Sequence, residues 1–374
     1  MSFDISEYYV EKSHLMTLHL DVLYACDLDC HHCYLDDKKK GQVATPKLLS
    51  IIQEAADLGA MKLLLSGGEV FLRKDLFEII EFARSLKFRV DLKTHGGHIG
   101  VEHAKRLAEL GVSRVDMSIY ALDDEVHDTF TKVPGSLKRT LAAVDYLLAE
   151  GITVGTNCVI SKFNLHHYRE LRDHFVAKGC KVGLDHRIFH DQSEGLEILN
   201  LNVSEEDKAR ITIFSIDRAD GNIGLPKLQA PEKTRPCNSG RAVVYVAPDL
   251  EVYGCPVLRV KAGDLHTQTL TEVWRESEAF GDIRELRWPT VCGPCAARPF
   301  CAYCYGISKA QTGDLNTPPP LVCNDSFAKL DGAERYLNGE RPQAHVGPKF
   351  EERQRKATFE IKTAHAPVSS SCCG

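Results

Sequence analysis

The chain has 374 residues, 43% of them hydrophobic, enough for two or three domains or one large domain with an extension. Its 52 acidic and 46 basic residues leave a formal net charge of -6, which argues against a general nucleic-acid surface. No apolar run is long enough to span a bilayer, and Met1 to Lys12 has neither the basic start nor the apolar stretch of a signal peptide, so a cytoplasmic protein without a membrane partner is expected.

From Leu15 to about Phe189 strand-like and helix-like runs alternate. The strand-like runs are Met16–Leu23, Lys62–Leu65, Arg89–Lys93, Arg114–Ile119, Thr153–Ile160 and Lys181–Asp185. Between them, Pro46–Leu58, Asp75–Leu86, Val101–Leu110, Leu137–Glu150 and Asn164–Lys178 have helical apolar spacing. Gly59, Gly111, Gly151 and Gly179 stand where helix ends need a left-handed cap. Six strand–helix units predict parallel strands with right-handed crossovers and an α/β fold, a partial (β/α)6 barrel over 1–200. A bridging segment follows over 201–235, where Ser204 is a helix N-cap signal. A smaller cysteine-rich domain is expected over 236–340, with short strands at Ala242–Ala247 and Glu251–Tyr253, and a disordered tail over 341–374.

Fourteen cysteines in a reducing compartment point to metal binding rather than disulfides. Three of them, Cys26, Cys30 and Cys33, follow the first strand in the spacing C-x3-C-x2-C, with Tyr34 directly after. Three thiolates on one loop can hold three irons of a 4Fe–4S cube and leave the fourth iron open to a small molecule. A zinc site closed by His31 or His32 is the alternative, but both lie inside the same tight loop, which gives poor tetrahedral geometry. In barrels of this kind the site gathers at the carboxyl ends of the strands, where this triad sits. After the second strand comes Ser66-Gly67-Gly68-Glu69, a turn that lets backbone approach a ligand, with an acid able to hold an ammonium group. The sixth strand ends near His186, Arg187 and His190, for which hydrogen-bonded or solvated roles are preferred over a substrate role. Cys158 is read as a small buried hydrophobe, with a hydrogen-atom donor as the sharper alternative.

The triad in this position resembles the radical S-adenosylmethionine (radical SAM) superfamily. The resemblance implies that Cys26, Cys30 and Cys33 carry the SAM-binding cluster and that Tyr34, Gly67, Gly68, Glu69 and Ser118 bind the cofactor. Val70 replaces the proline usual in relatives, and Thr94-His95-Gly96 stands where they usually have Thr-Asn-Gly. His95 is expected to satisfy a backbone group, or to act as a proton-transfer group facing substrate. Tyr120 fills a variable position, and Asn164 is expected to cap the fifth helix.

Cys237, Cys255, Cys292, Cys295, Cys301, Cys304 and Cys323 resemble the SPASM extension of such enzymes, which carries two auxiliary 4Fe–4S clusters. By position, Cys292, Cys295, Cys301 and Cys323 would hold one cluster, and Cys237, Cys255 and Cys304 the other, one cysteine short. Its fourth site is open, filled by a non-cysteine side chain, or filled from elsewhere, with the terminal Cys372-Cys373 pair as a candidate. One or two zinc ribbons are the alternative for this region, but its co-occurrence with the triad and a barrel favours iron. Asp249-Leu250 replaces the usual Asp-Gly turn.

The resemblance implies reductive cleavage of SAM to methionine and a 5′-deoxyadenosyl radical, which abstracts hydrogen from a ribosomally made peptide or protein side chain. A tetrapyrrole-modifying enzyme of the haem branch is the second reading, and a non-catalytic iron–sulfur carrier or zinc scaffold the third. The implied partners are the peptide, a separate leader-recognition protein and a flavodoxin- or ferredoxin-type electron donor.

Overall fold

The computed structural model describes residues 5–35, 38, 42–190, 195–218 and 235–342. The tail from 343, with Cys372 and Cys373, and residues 219–234 of the bridging segment lie outside the described residues. The chain opens on α1 (Ile5–Lys12), then runs β1 (Thr17–Asp21), α2 (Thr45–Asp57), β2 (Lys62–Ser66), α3 (Leu76–Ser85), β3 (Arg89–Thr94), α4 (Val101–Glu109) and β4 (Arg114–Ser118). It continues through α5 (Asp124–Thr131), α6 (Ser136–Ala149), β5 (Thr153–Val159), α7 (Tyr168–Ala177), β6 (Lys181–Asp185) and α8 (Glu205–Asp217). The cysteine-rich region holds β7 (Val243–Val246), β8 (Glu251–Tyr253), β9 (Gly263–Asp264), α9 (Leu270–Glu276), α10 (Glu278–Glu285), α11 (Tyr305–Thr312) and α12 (Pro320–Leu337).

The six expected strands are present within two residues at each end, and the four expected glycine caps all have φ between 68° and 90°. Helix α7 starts at Tyr168, later than the expected Asn164. Helix α5 was not anticipated, because eight residues are too short to show a period; the cap is what starts it, Asp123 accepting from the Val126 N–H.

Among the described residues, nine strands form one sheet in the order β6-β5-β4-β3-β2-β1-β7-β8-β9. Strands β1 to β6 are parallel, as the strand–helix alternation requires, and make the partial barrel. β7 pairs in parallel with the other edge of β1, Thr17 opposite Val243, and β8 and β9 add antiparallel strands beyond it. The cysteine-rich region therefore shares a sheet with the barrel rather than standing apart from it.

Alternation along the strands decides what faces the helices. Leu18, Leu20, Leu63, Leu65, Val90, Leu92, Val115 and Met117 are fully buried against Leu48, Ile51, Ile52, Ile79 and Ile80 of α2 and α3, and against the helices that follow. Each such side chain contributes about 1.5–3 kcal/mol. Neighbours on the opposite, inner face are His19, Asp21, Asp91, Lys93, Asp116 and Ser118. The barrel interior is thus polar.

Helix α12 packs along α8, and the close approach depends on Gly332. A Cβ there would lie 2.5 Å from the Ala209 carbonyl oxygen and 2.9 Å from Thr212 Cβ. Gly332→Ala gains about 1 kcal/mol of helix propensity, but pushing two backbones apart costs about 1–3 kcal/mol. The steric term wins, because the obstacle is backbone. The urea midpoint of the variant is expected to fall, and an unchanged or raised midpoint would show that α12 can shift freely.

Candidate active site and metal centres

The loop after β1 crosses the carboxyl ends of the parallel strands. Its Asp29 and His31 N–H groups donate to the Thr131 and Phe130 carbonyls at the end of α5, both at 3.1 Å. The three thiols of Cys26, Cys30 and Cys33 are partly buried in this loop. Burial first, then the neighbouring Cys33 and Cys26 sulfurs, pushes the Cys30 thiol up to about 12, and burial also raises Cys33. Three thiolates do not accumulate in such a place without a positive group to hold them, so the donor set fits a metal centre. Among the described residues, the only metal-ligand type group with atoms all within 4.8 Å is Cys26, Asp27 and His95, so no three cysteine sulfurs are gathered that closely. His31 is stacked on Phe163 with ring centroids 5.0 Å apart, and the half-buried His32 packs on Tyr120 and Phe130, so neither closes a zinc site.

Tyr34, expected at the cofactor, donates its hydroxyl to Asp21 Oδ2 at 3.0 Å and so ties the end of the loop to β1. Burial, reinforced by the Asp21 charge, holds this phenol well above its ordinary pKa, so it remains a donor.

Gly67 and Gly68 do allow a close approach, but what comes close is the chain itself. Gly67 has φ +127°, and a Cβ on it would lie 2.4 Å from the Leu23 carbonyl oxygen. A Cβ on Gly68 would lie 2.0 Å from the Ala25 carbonyl oxygen, with Gly68 and Glu69 N–H donating to Leu23 and Ala25 at 2.9 and 2.8 Å. The glycine pair is what lets the cysteine loop lie on the β2 turn. Glu69 is fully buried, and its carboxylate is taken up by the Phe71 N–H (3.0 Å), the Thr94 hydroxyl (2.6 Å) and the His95 N–H (2.9 Å). Through these bonds the carboxylate locks the turns after β2 and β3 together. No described residue donates to the Gly67 or Gly68 carbonyl, which leaves main-chain acceptors at this turn.

His95 was anticipated as satisfying a backbone group, and its Nδ1 does accept the Gly97 N–H at 3.0 Å. The rest of its environment was not legible: Nε2 lies 2.8 Å from Asp27 Oδ1 and 3.1 Å from Glu69 Oε2, and His98 Nε2 reaches Asp27 Oδ2 at 3.1 Å. Burial pulls the His95 ring down, but hydrogen bonds to Asp27 and Cys26 and the Glu69 charge outweigh it, raising the pKa to about 10. A proton on Nδ1 would break the Gly97 bond, so the ring's charge is linked to the shape of the turn.

Ser118 ends β4 on the inner face, partly buried, opposite Asn157 of β5. Tyr120 is buried against Phe130, ring centroids 4.1 Å apart, with its hydroxyl 3.4 Å from His32 Nε2. Asn164 is not a helix cap. It is fully buried, donates to the Tyr120 and Val159 carbonyls at 2.9 Å each, and accepts from the Ser161 N–H at 2.7 Å, clipping the ends of β4 and β5 together. Cys158 is fully buried and burial pushes its thiol up to about 12, in keeping with a small hydrophobe.

In the cysteine-rich region, Cys292, Cys295, Cys301 and Cys323 line one cavity with Trp288, Tyr303 and Val322. Cys237 and Cys304 each feel the Cys255 sulfur, which gathers the second set; burial first, then Cys255, pushes Cys237 up to about 12. Leu250, in the position of the usual glycine, adopts φ +67° and is buried, so the hairpin between β7 and β8 keeps its left-handed turn at some steric cost. Arg187 and His186 are not solvated: both meet the buried Asp325 of α12. His190 Nε2 lies 3.3 Å from the Gly306 carbonyl oxygen.

Residues 21–175 match the Radical SAM superfamily, and residues 237–296 match SPASM, an iron–sulfur cluster-binding domain. The chain belongs to the radical SAM superfamily and carries a SPASM domain. It is thus a radical SAM enzyme, with a 4Fe–4S cluster and SAM as cofactors of the barrel and auxiliary iron–sulfur clusters in the SPASM region. The chain is similar to the AdoMet-dependent heme synthase of Methanosarcina barkeri, 29% identical over 79% of this chain and 92% of that protein. It is also similar to the PqqA peptide cyclase of Xanthomonas campestris pv. campestris, 27% identical over 94% of this chain and 97% of that one. Its fold is similar to that of Streptococcus suis SuiB bound to precursor peptide SuiA, with a TM-score of 0.67 and 17% identity over 83% of this chain and 76% of that one. No helix among the described residues is long and apolar enough to cross a membrane.

Gly68→Ala forces the β2 turn off the Ala25 carbonyl, so reconstituted protein should lose the iron of the barrel cluster while the auxiliary iron stays; full iron content would show that the turn can yield. His127 is buried, with Nδ1 3.1 Å from Ser136 Oγ, and burial pulls its pKa down to about 4 despite the Asp128 charge. The unfolded chain binds that proton near its ordinary 6.5, so the stability tied to neutral His127 is full above pH 6.5 and is lost as pH falls toward 4. The loss is about 2 kcal/mol between pH 6.5 and 5. Urea titrations at the two pH values should show a smaller difference in His127→Phe than in the parent.

Proposed function

We propose that this enzyme modifies a ribosomally made peptide or protein side chain by radical SAM chemistry. The observation that carries the reading is the inner face of the barrel, where His19, Asp91, Lys93, Asp116 and Ser118 present hydrogen-bonding and charged groups. Such a lining suits the amides and polar side chains of a peptide better than the flat apolar faces of a macrocycle. The near full-length likeness to a PqqA peptide cyclase supports the same class.

Cys26, Cys30 and Cys33 are the ligands we assign to the SAM-binding cluster. The Gly67–Gly68–Glu69 turn would face the methionyl amino group through its main-chain carbonyls, and Ser118 the carboxylate or ribose. When bound, the reduced cluster and SAM together supply the electron transfer that yields methionine and a 5′-deoxyadenosyl radical. The chain's own part is to hold the loop still, through Tyr34 on Asp21 and Glu69 on Thr94, and to keep water from the buried side of the triad. Cys292, Cys295, Cys301 and Cys323 would hold one auxiliary cluster, and Cys237, Cys255 and Cys304 the other. We divide the chain into a SAM-binding barrel over 1–200 and an auxiliary-cluster region over 236–340, joined by 201–235. Cys26, Cys30, Cys33, Cys158, Cys180, Cys237, Cys255, Cys295, Cys301 and Cys304 are free thiols, which supports a reducing, cytoplasmic setting. A flavodoxin- or ferredoxin-type donor would supply the electron, and a separate recognition protein would present the peptide.

The heme synthase relatives favour a second reading, modification of a tetrapyrrole. Anaerobic reconstitution with SAM and reductant separates the two. Formation of 5′-deoxyadenosine should fall to background in Cys26→Ala, Cys30→Ala or Cys33→Ala, with about eight of twelve irons retained. Retained cleavage would overturn the cluster assignment. A mass change in a peptide encoded beside the gene, with none in an added tetrapyrrole, is the expected result; the reverse would move the enzyme to the haem branch.

A further inference from the structure

Asp325 of α12 is fully buried and is met by more positive charge than it can neutralise. Arg187, just past β6, pairs with its Oδ2, and Lys329 lies 3.0 Å from the same oxygen. Lys208 of α8 lies 3.7 Å from Oδ1, and His186 Nε2 lies 2.8 Å from it. One carboxylate therefore faces three side-chain cations even with His186 neutral. The other acids nearby, Asp185 and Glu205, are exposed, where water screens them. Asp185 Oδ1 accepts the main-chain N–H of Arg187 at 2.9 Å, so the guanidinium does not depend on it.

The guanidinium itself is only partly satisfied. One terminal nitrogen donates to the Ala302 carbonyl at 3.1 Å and the other to Asp325, while the buried Nε–H has no partner among the described residues. Ala302 lies between Cys301 and Cys304, one from each cysteine set of the SPASM region, and Arg187 feels the charge at Cys304. A buried surplus of cations with an orphaned donor is costly unless an anion lies beside it. A 4Fe–4S cube with four thiolates carries a net charge of about −2. It is the anion this arrangement lacks.

We propose that Arg187 sets the reduction potential of the auxiliary clusters, making them easier to reduce by stabilising the added electron across the Cys301–Cys304 segment. Positive charge in a low-dielectric site favours the more negative, reduced state, and cluster potentials respond to net charge and hydrogen bonds to sulfur. The inference rests on the cluster assignment proposed above. Arg187 is then a positioning residue of the barrel acting on centres in the neighbouring region.

The test is a potentiometric titration of reconstituted full-length protein followed by electron paramagnetic resonance. Iron content comes first: about four irons per chain rather than about twelve would sink the auxiliary-cluster reading itself. With iron fully loaded, Arg187→Met should shift an auxiliary signal to lower potential, Arg187→Lys should recover part of the shift, and the SAM-binding cluster should not move. Asp325→Asn, which removes the opposing charge, should shift the same signal the other way. A merely structural role would not give shifts of opposite sign at one ion pair. Should either variant fail to fold, Lys329→Met on the partly exposed rim decides the matter, with a smaller shift in the Arg187→Met direction. Unmoved auxiliary potentials in iron-loaded Arg187→Met or Lys329→Met would overturn the proposal.

Discussion

A buried carboxylate at the end of β1 holds the centre of this molecule together. Asp21 is fully buried, and its Oδ2 accepts hydroxyl groups from Tyr34 at 3.0 Å and from Tyr245 at 2.8 Å. Tyr34 belongs to the cysteine loop and Tyr245 to β7, the first strand of the SPASM region. A buried charge must be hydrogen-bonded or it costs several kcal/mol, so one residue makes both elements return to β1. The parallel pairing of β1 with β2 on one side and β7 on the other completes the arrangement. The cysteine loop, the Gly67–Gly68 turn and the auxiliary-cluster region then meet at one end of one sheet.

Several residues with a family motif around them also hold the protein's own chain in place. The glycine pair receives the Leu23–Ala25 backbone, the Glu69 carboxylate binds the turns after β2 and β3, and Asn164 clips β4 to β5. This is what a radical site asks of its protein, because the hard step belongs to the cofactor and the scaffold's work is orientation. Polar groups buried in fully used hydrogen-bond sets make the rim of the barrel stiff. Where the set is incomplete, as at Arg187 and Asp325, the leftover charge marks the place where a bound group matters most.

The radical SAM scaffold and its SPASM extension were legible from short-range signals. The cysteine spacings were read directly, and so were the period of the strands and helices and the positive-φ glycines at four helix ends. Each is a pattern within a dozen residues, set by backbone geometry or by the reach of a thiolate, and such patterns survive without knowledge of the fold. The same local reading placed Ser204 as an N-cap, where its hydroxyl accepts the Asp207 N–H at 3.1 Å. It missed α5 and misplaced the start of α7, because a short helix is decided by its cap and its neighbours rather than by a period.

What the sequence by itself determined is the chemistry available: three thiols on one loop, seven more in a second region, and a polar inner face to the strands. What only the tertiary structure decided is how those parts are held and charged. His95 meets Asp27 from 68 residues away, and Arg187 meets Asp325 from 138 away. Nothing in either local stretch announces its partner, because an ion pair is a matter of distance in space, and only the packing of strands, loops and helices brings those ends together. The sharing of β1 between barrel and SPASM region is of the same kind: hydrogen-bonded edges carry no mark in the sequence of which strand will fill them.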